Sequence, residues 1–203
     1  MIVIVNYGLG NLGSVLNMFK RIGAPAKITS DPEEIATAEK ILLPGVGAFD
    51  VAMKKIHEAG FFTILNTLAL EKKIPILGIC LGMQLLTDRS DEGYMEGFHW
   101  IPGTTRKFTF PEDSGLKIPH MGWNEVTEKN PSQLTAGLPF GSRFYFVHSY
   151  FVKTDHPSHS VMTTTYGHEF DCVIQSGNIY GAQFHPEKSH KFGMQLLQNF
   201  ARI

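Results

Sequence analysis

Residues 74–86 read IPILGICLGMQLL and contain a complete strand–turn–helix signal. The nearly continuous apolar run at 74–79 predicts a strand that is buried on both faces, as strands inside parallel sheets are. The glycine-flanked GICLG at 78–82 predicts a tight turn, and the residues from 83 to 86 predict the helix that follows it. A unit of this kind is typical of proteins that alternate strands and helices.

The residues before this segment repeat the same alternation. Strands are predicted at 2–5, 26–29 and 41–43, with helices at 12–22, from 31 onward, at 49–58 and at 62–71. Asn11 is predicted to cap the first of these helices. The alternation indicates a parallel sheet that is covered by helices on both sides.

The pattern changes after about residue 97. Gly, Pro, Asn and Asp then separate short β-type segments, which lie at 105–110, 143–152, 161–165, 171–175 and 179–184 and precede a last helix at about 189–201. No repeat or linker interrupts the chain. We therefore predict one domain over residues 1–203, of the α/β class, with a mostly parallel central sheet flanked by helices and an additional β-rich C-terminal half.

Composition and charge exclude several classes of protein. The 203 residues are 43% hydrophobic, so the chain can bury a core without disulfide bonds. With 18 basic and 19 acidic residues it lacks the positive surface that nucleic acids or anionic membranes attract. No apolar run is long enough to cross a bilayer, and the N-terminus does not resemble a signal peptide. Only two cysteines, Cys80 and Cys172, fit a reducing compartment, so we expect a cytoplasmic protein.

The sequence predicts neither a metal site nor a cofactor. It has no H-E-x-x-H and no C-x-x-C motif, the usual spacings of zinc and redox sites. Gly8, Gly10 and Gly13 have the G-x-G-x-x-G spacing of a dinucleotide-binding turn, but no clear ribose-binding acid follows about twenty residues later, so this lone motif does not predict a nucleotide site. Candidate chemistry must therefore come from the side chains alone.

Cys80 is the candidate nucleophile, because it stands where the G-x-Nuc-x-G elbow of hydrolases places one. Residues with side chains in place of Gly78 and Gly82 would collide with the backbone of such a tight turn. The backbone N–H of Leu81 is a natural donor to an oxyanion, and a helix that begins there favours the thiolate. The alternative is an inert core cysteine, which is the usual state of a free cysteine.

Among nine histidines, His185 is the candidate base. It ends an apolar strand, Pro186 stops that strand, and Glu187 follows two residues later. A carboxylate so placed can turn back to the imidazole and fix its tautomer. The motif alone is equally compatible with a structural corner. Combined with the elbow, it predicts a Cys80–His185–Glu187 triad.

The motifs together resemble the class I (triad-type) glutamine amidotransferases. GICLGMQLL, PGVGAF and GAQFHPEKS carry this resemblance, and KIPHMGWN and YFVHSY extend it to the glutaminase subunits of imidazole glycerol phosphate synthases. The similarity runs essentially from residue 6 to residue 200. A papain-like protease is the nearest other cysteine class, but its C-G-[SA]-C-[WY] signature is absent.

The resemblance implies a role for further residues. Cys80 would attack the carboxamide of L-glutamine, His185 would transfer protons and Glu187 would orient His185. The oxyanion donors would be Leu81 and the strand Gly45, Val46 and Gly47, and the substrate-binding residues would be Gly82, Gln84, Ser149 and Tyr150. For two of these residues a purely structural role stays open: Gln84 could be a solvated helix position, and Tyr150 could pack on its strand.

One glutaminase domain uses the whole chain, so the ammonia acceptor must be bound by another subunit. The resemblance implies a heterodimer with a (β/α)₈-barrel synthase. Candidate contacts with it are Asn11, Met121, Trp123 and Lys188. Trp123 could equally be a core residue, and Lys188 could be solvated.

Three alternatives stay open. The segments Phe98-His99-Trp100, FTFPEDSG and KSHKFG depart from the usual pattern and resemble a paralogous branch that supplies ammonia to a sugar amidotransferase in surface-polysaccharide biosynthesis. A non-catalytic binding subunit would be expected to lack part of the triad. A free-standing cysteine hydrolase would act without a partner and without a preference for glutamine.

Overall fold

The structure is a computed structural model that describes residues 1–203. The strands are β1 (Ile2–Val5), β2 (Ala26–Thr29), β3 (Lys40–Gly45), β4 (Ile76–Cys80), β5 (Arg89–Ser90), β6 (Gly103–Lys107), β7 (His120–Glu125), β8 (Thr127–Glu128), β9 (Arg143–His148), β10 (Tyr150–Thr154), β11 (Ser160–Tyr166), β12 (His168–Ser176) and β13 (Ile179–Ala182). The helices are α1 (Leu12–Arg21), α2 (Pro32–Ala36), α3 (Phe49–Glu58), α4 (Phe61–Asn66), α5 (Leu81–Leu85) and α6 (His190–Arg202).

Eleven strands form one sheet in the order β2-β1-β3-β4-β13-β12-β10-β6-β5, and β11 and β8 branch from β12. The five strands from β2 to β13 are parallel, and the next three are antiparallel. This large central sheet with flanking helices confirms the predicted α/β class. The small second sheet pairs β7 with β9.

The period of two along a strand decides which face of the sheet each residue covers. Ile2 and Ile4 of β1 lie in the apolar cluster that includes α1 and α6, whereas Val3 and Val5 lie in the cluster that includes α3 and α4. All four side chains are buried. The parallel strands therefore have no solvent face, which explains their continuous apolar runs.

The parallel strands end at one edge of the sheet. Gly45, the last residue of β3, pairs in register with Cys80, the last residue of β4. The neighbouring β13 pairs its last residue, Ala182, with Ile79, three residues before His185. The two candidate catalytic segments are thus brought together at the carboxyl edge, where open α/β sheets bind ligands.

Three local predictions are wrong. The predicted strand at 143–152 is two strands, β9 and β10, which belong to different sheets and change direction at Ser149. No strand is predicted at 120–125, where β7 lies. Asn11 precedes α1 but its side chain makes no capping hydrogen bond.

None of the helices has the length and apolar character that crossing a membrane requires.

Candidate active site

Cys80 has a strained backbone at the end of β4. Its φ of 55° and ψ of −112° are unusual for a residue with a side chain, and such strain is common at functional sites. A Cβ on Gly82 would overlap the Leu43 carbonyl oxygen, and one on Gly78 would lie 2.5 Å from the Gly82 carbonyl oxygen. The predicted reason for both glycines is therefore correct: β4, the turn and α5 pack too closely for larger residues.

His185 and Glu187 form a buried pair in the turn that follows β13. The Nδ1 atom of His185 lies 2.9 Å from Oε1 of Glu187, and their side chains are 5% and 2% exposed. The turn that holds them is fixed by the Ser189 hydroxyl, which donates a 2.7 Å hydrogen bond to the His185 carbonyl. The Nε2 atom of His185 makes no hydrogen bond within the chain.

The ring of His185 is held in its charged form. Burial opposes protonation, but Cys80 and Glu187 interact favourably with the charged ring and together raise its pKa to about 10. An imidazolium beside a thiol is the arrangement that favours thiolate. The three residues thus have the geometry of a nucleophile, a proton carrier and an orienting carboxylate.

A cleft of about 300 Å³ opens over this group. Most of the predicted site residues line it; the lining residues are Val46, Gly47, Cys80, Leu81, Gln84, Glu92, Val147, His148, Ser149, Tyr150, His185 and Lys188. Gly45 and Gly82 do not line it, because they lie buried beneath Cys80 in the packing between β3 and α5. Gln84 is 4% exposed, so it is not a solvated helix position.

The predicted interface residues Met121, Trp123 and Asn11 lie outside the cleft. Met121 and Trp123 on β7 are 61% and 39% exposed, so Trp123 is not a core residue. Its ring stacks on His190 at 5.3 Å between ring centroids. Lys188 lies at the cleft, over the ring of Tyr145, which in turn contacts Trp123. Asn11 is at the start of α1, which packs against the turn that carries Lys188.

Two polar residues of the site were missed by sequence reasoning. Glu92 lines the cleft, and its Oε2 atom accepts a 2.8 Å hydrogen bond from the backbone N–H of Phe49. The hydroxyl of Tyr7 donates a 2.6 Å hydrogen bond to the carbonyl of Pro44, directly before Gly45. Burial and the nearby Cys80 raise the pKa of Tyr7, which keeps this donor protonated. No local motif marks either residue, since both contacts join distant parts of the chain.

A buried histidine pair, His148 and His120, lies at the cleft, which His148 lines. The Nδ1 atom of His148 donates to the Tyr150 carbonyl at 2.7 Å, so its Nε2 atom is free to accept from Nδ1 of His120 at 3.0 Å. Burial lowers the pKa of His120 to about 4 and that of His148 to about 3. Both rings are therefore neutral at pH 7.

This pair predicts a loss of stability in acid. Because the folded pKa values lie below the unfolded value of about 6.5, the stabilisation is present above pH 6.5 and is lost as the pH falls. Each histidine should lower the free energy of unfolding by about 2 kcal/mol between pH 7 and pH 5. Denaturant unfolding at both pH values should show that His148→Gln loses about 2 kcal/mol less of its free energy of unfolding than the wild type does between pH 7 and pH 5. The exposed His156, changed to Gln, is the control; an equal loss in all three proteins would contradict this prediction.

A larger cleft of about 810 Å³ lies elsewhere, between β10, β12 and the loop after β8. None of the triad residues lines it, and its Lys129 and Glu169 are already paired at 3.0 Å. No group of His, Cys, Asp and Glu side chains in residues 1–203 could hold a metal ion. The chemistry of the chain is therefore concentrated in the smaller cleft.

Comparison with known proteins identifies relatives over the full length. The family model described as "Glutamine amidotransferase class-I" matches residues 3–203. A Bdellovibrio bacteriovorus protein named imidazole glycerol phosphate synthase subunit HisH is 48% identical, and the match covers 100% of both chains. Subunit HisH 2 of Methanococcus maripaludis is 50% identical over 100% of this chain and 99% of its own.

Solved structures agree on the fold. The Thermotoga maritima PurLQS structure matches with a TM-score of 0.73 and 19% identity over 99% of this chain and 97% of that one. The glutaminase domain of Trypanosoma brucei CTPS matches with a TM-score of 0.68 and 17% identity, over 99% and 93% of the two chains. At these identities the likeness concerns the architecture alone.

Proposed function

This chain belongs to the class I glutamine amidotransferases, and from that premise we propose that it is the glutaminase subunit of an imidazole glycerol phosphate synthase. It hydrolyses L-glutamine to glutamate and passes the ammonia to a partner synthase subunit in histidine biosynthesis. The observation that carries the proposal is that the strained Cys80 and His185 line one cleft, with the buried Glu187 2.9 Å from the Nδ1 atom of His185. The HisH relatives, 48% and 50% identical, support this choice of synthase.

The chemistry follows from the proton positions. The Cys80 thiolate attacks the carboxamide carbon of glutamine, and the N–H of Leu81 stabilises the oxyanion that forms. His185 gives its proton to the amide nitrogen, which leaves as ammonia, and a thioester remains on Cys80. A water molecule then loses a proton to His185 and attacks the thioester, which releases glutamate and regenerates the thiolate.

The second oxyanion donor comes from the segment of Gly45, Val46 and Gly47. Val46 and Gly47 line the cleft and are exposed, and Gly47 has a φ of 108° that residues with a Cβ rarely adopt. Tyr7 fixes the segment at Pro44. We infer that the free end of this segment reorients to bring an N–H towards the oxyanion.

Glutamine is bound through its charged ends. The carboxylate of Glu92 is the acid in the cleft that can pair with the α-ammonium group of the substrate. Gln84, Ser149 and Tyr150 surround the same cleft and supply the polar groups for the α-carboxylate and α-ammonium. Gly82 contributes by allowing the close approach of α5 to β3 and has no direct contact with the cleft.

The partner covers an apolar face beside the cleft. Val46 at the cleft, and Ile118, Met121 and Trp123 on or just before β7, are each at least 39% exposed, and β7 pairs with β9, whose Val147 lines the cleft. We propose that a (β/α)₈-barrel synthase docks here as a heterodimer, with Lys188 and Asn11 at the same interface. The enclosed ammonia then stays unprotonated and does not escape to solvent.

The test is glutamate release from L-glutamine, in the presence and absence of the barrel subunit with its nucleotide substrate. We expect little release from the isolated chain, and an increase of roughly 10²-fold or more when barrel and nucleotide are both present, because partner binding completes the oxyanion hole. Full activity without any partner would contradict the proposal. Stimulation by a sugar amidotransferase instead of the barrel would identify the polysaccharide branch, to which the segments FTFPEDSG and KSHKFG point.

A further inference from the structure

We infer that Gln183 is a further catalytic residue, whose side-chain amide donates a hydrogen bond to the Cys80 sulfur and stabilises the thiolate. The inference rests on the proposed role of Cys80 as nucleophile. The Nε2 atom of Gln183 lies 3.7 Å from Sγ of Cys80, within the range of an N–H···S hydrogen bond. Gln183 is completely buried, directly after the end of β13 and two residues before His185.

The orientation of the amide is determined by a backbone group. A carbonyl oxygen can only accept, so the Tyr150 carbonyl, 3.1 Å from Gln84, requires the Nε2 atom of Gln84 to face it. The second hydrogen on that nitrogen points to Gln183 at 3.1 Å, which requires Gln183 to present its Oε1 atom. The NH₂ group of Gln183 must then face Cys80. No other assignment of the two amides satisfies all three contacts.

The same carbonyl also accepts from His148, at 2.7 Å. The Tyr150 carbonyl is thus held between a histidine and a glutamine, and it cannot rotate without breaking both hydrogen bonds. Because Gln84 uses only its nitrogen in this network, its Oε1 atom makes no hydrogen bond within the chain and remains available at the cleft it lines. Gln84 therefore connects the glutamine-binding cleft to the donor on the nucleophile.

Buried amide donors of this kind favour the charged form of the group they contact. A sulfur that loses such a donor should need a higher pH to become thiolate. The rate at which iodoacetamide alkylates Cys80 reports this directly, because only the thiolate reacts. The second thiol, Cys172, is completely buried, and burial raises its pKa, so it does not contribute.

The experiment compares the pH dependence of alkylation in the full chain, as wild type, Gln183→Met and Gln183→Leu. Methionine and leucine are close to glutamine in size, remove the donor, and add no charge beside the sulfur that would itself raise the midpoint. We expect the midpoint of the profile to rise by roughly one pH unit, with about tenfold slower alkylation below the midpoint and an unchanged plateau at high pH. Gln175→Met, on β12 away from the cleft, should reproduce the wild-type profile.

Two results would overturn the inference. A midpoint equal to that of wild type in a folded variant would mean that Gln183 does not act on the sulfur. A rate that is lower by the same factor at every pH would mean that it only shapes the cleft. If Gln183→Met does not fold, Gln183→Leu decides between these results. If wild-type Cys80 does not react at any pH, Cys80 is not the nucleophile, and the proposed function fails together with this inference. If wild-type Cys80 reacts and the variants match it, this inference alone fails.

Discussion

Replacement of Cys80 by alanine is expected to abolish glutamine hydrolysis in the complex with the proposed synthase subunit, with a loss of roughly 10⁴-fold or more. The loss is this large because Cys80 alone combines the strained elbow position with an interaction with the charged ring of His185. Ser149 lines the same cleft but is not at the elbow between β4 and α5. The measurement is glutamate release at saturating glutamine, with the nucleotide substrate present.

The matched control is Cys172→Ala, which removes the only other thiol of the chain. Cys172 is buried in the core on β12, so its replacement should lower stability but leave the rate of hydrolysis unchanged. A complex that contains Cys80→Ala should still use added ammonia, because the partner carries out the synthase step. Residual glutamine hydrolysis at a tenth of the wild-type rate would show that Cys80 is not the nucleophile.

The elbow could be predicted from the sequence because its signal, a glycine on each side of Cys80 between a strand and a helix, is local. The close approach at Gly78 lies within the turn, whereas the one at Gly82 is to the Leu43 carbonyl of the neighbouring strand β3. The corner at His185 was also visible, since a proline directly after an apolar strand removes the N–H that would continue the ladder. The sequence left open whether the two segments meet. They meet because β4 and β13 are neighbours in the sheet, which depends on the order of the strands.

The break at Ser149 could not be predicted in the same way. Residues 143–152 are aromatic and apolar on both sides of it, so they read as one strand. The backbone carbonyl of Ser149 accepts from Phe108, and this contact with a distant segment moves the following strand into the main sheet. Glu92 was missed for a similar reason, because its partner Phe49 is 43 residues away. Contacts between distant segments decide both features.

The segment Phe98-His99-Trp100, which departs from the usual sequence pattern of the family, has a structural explanation. Phe98 and Trp100 are buried and stack at 4.1 Å between ring centroids, and the indole N–H donates to Asn66 at 2.7 Å. This unit fills the space beside α4, and neither aromatic lines the catalytic cleft. These residues therefore give no reason to change the proposed reaction. The choice of acceptor has to be decided on the docking face.

Replacement of Glu187 by glutamine is expected to lower the turnover number by roughly 10²- to 10⁴-fold while the fold is retained. The substitution is nearly isosteric, so the turn that carries His185 can persist. It removes the negative charge 2.9 Å from Nδ1, and it offers an amide N–H that favours the wrong tautomer of the ring. Circular dichroism and denaturant unfolding would confirm the fold, and glutamate release would measure the loss.

If Glu187→Gln acts through the charge of His185, the pH dependence of the turnover number should shift, whereas a general disturbance of the site would lower the rate without such a shift. Glu187 is one of the two residues that raise the pKa of His185 to about 10, so the substitution should lower that pKa. His185 must be protonated to give its proton to the leaving ammonia, and a lower pKa removes that proton at a lower pH. The alkaline limb of the turnover number should therefore move to lower pH. Asp88→Asn is the matched control, because Asp88 pairs with His99 at 2.8 Å outside the cleft and should leave the profile unchanged. An alkaline limb that stays in place in Glu187→Gln would mean that the carboxylate does not act through His185.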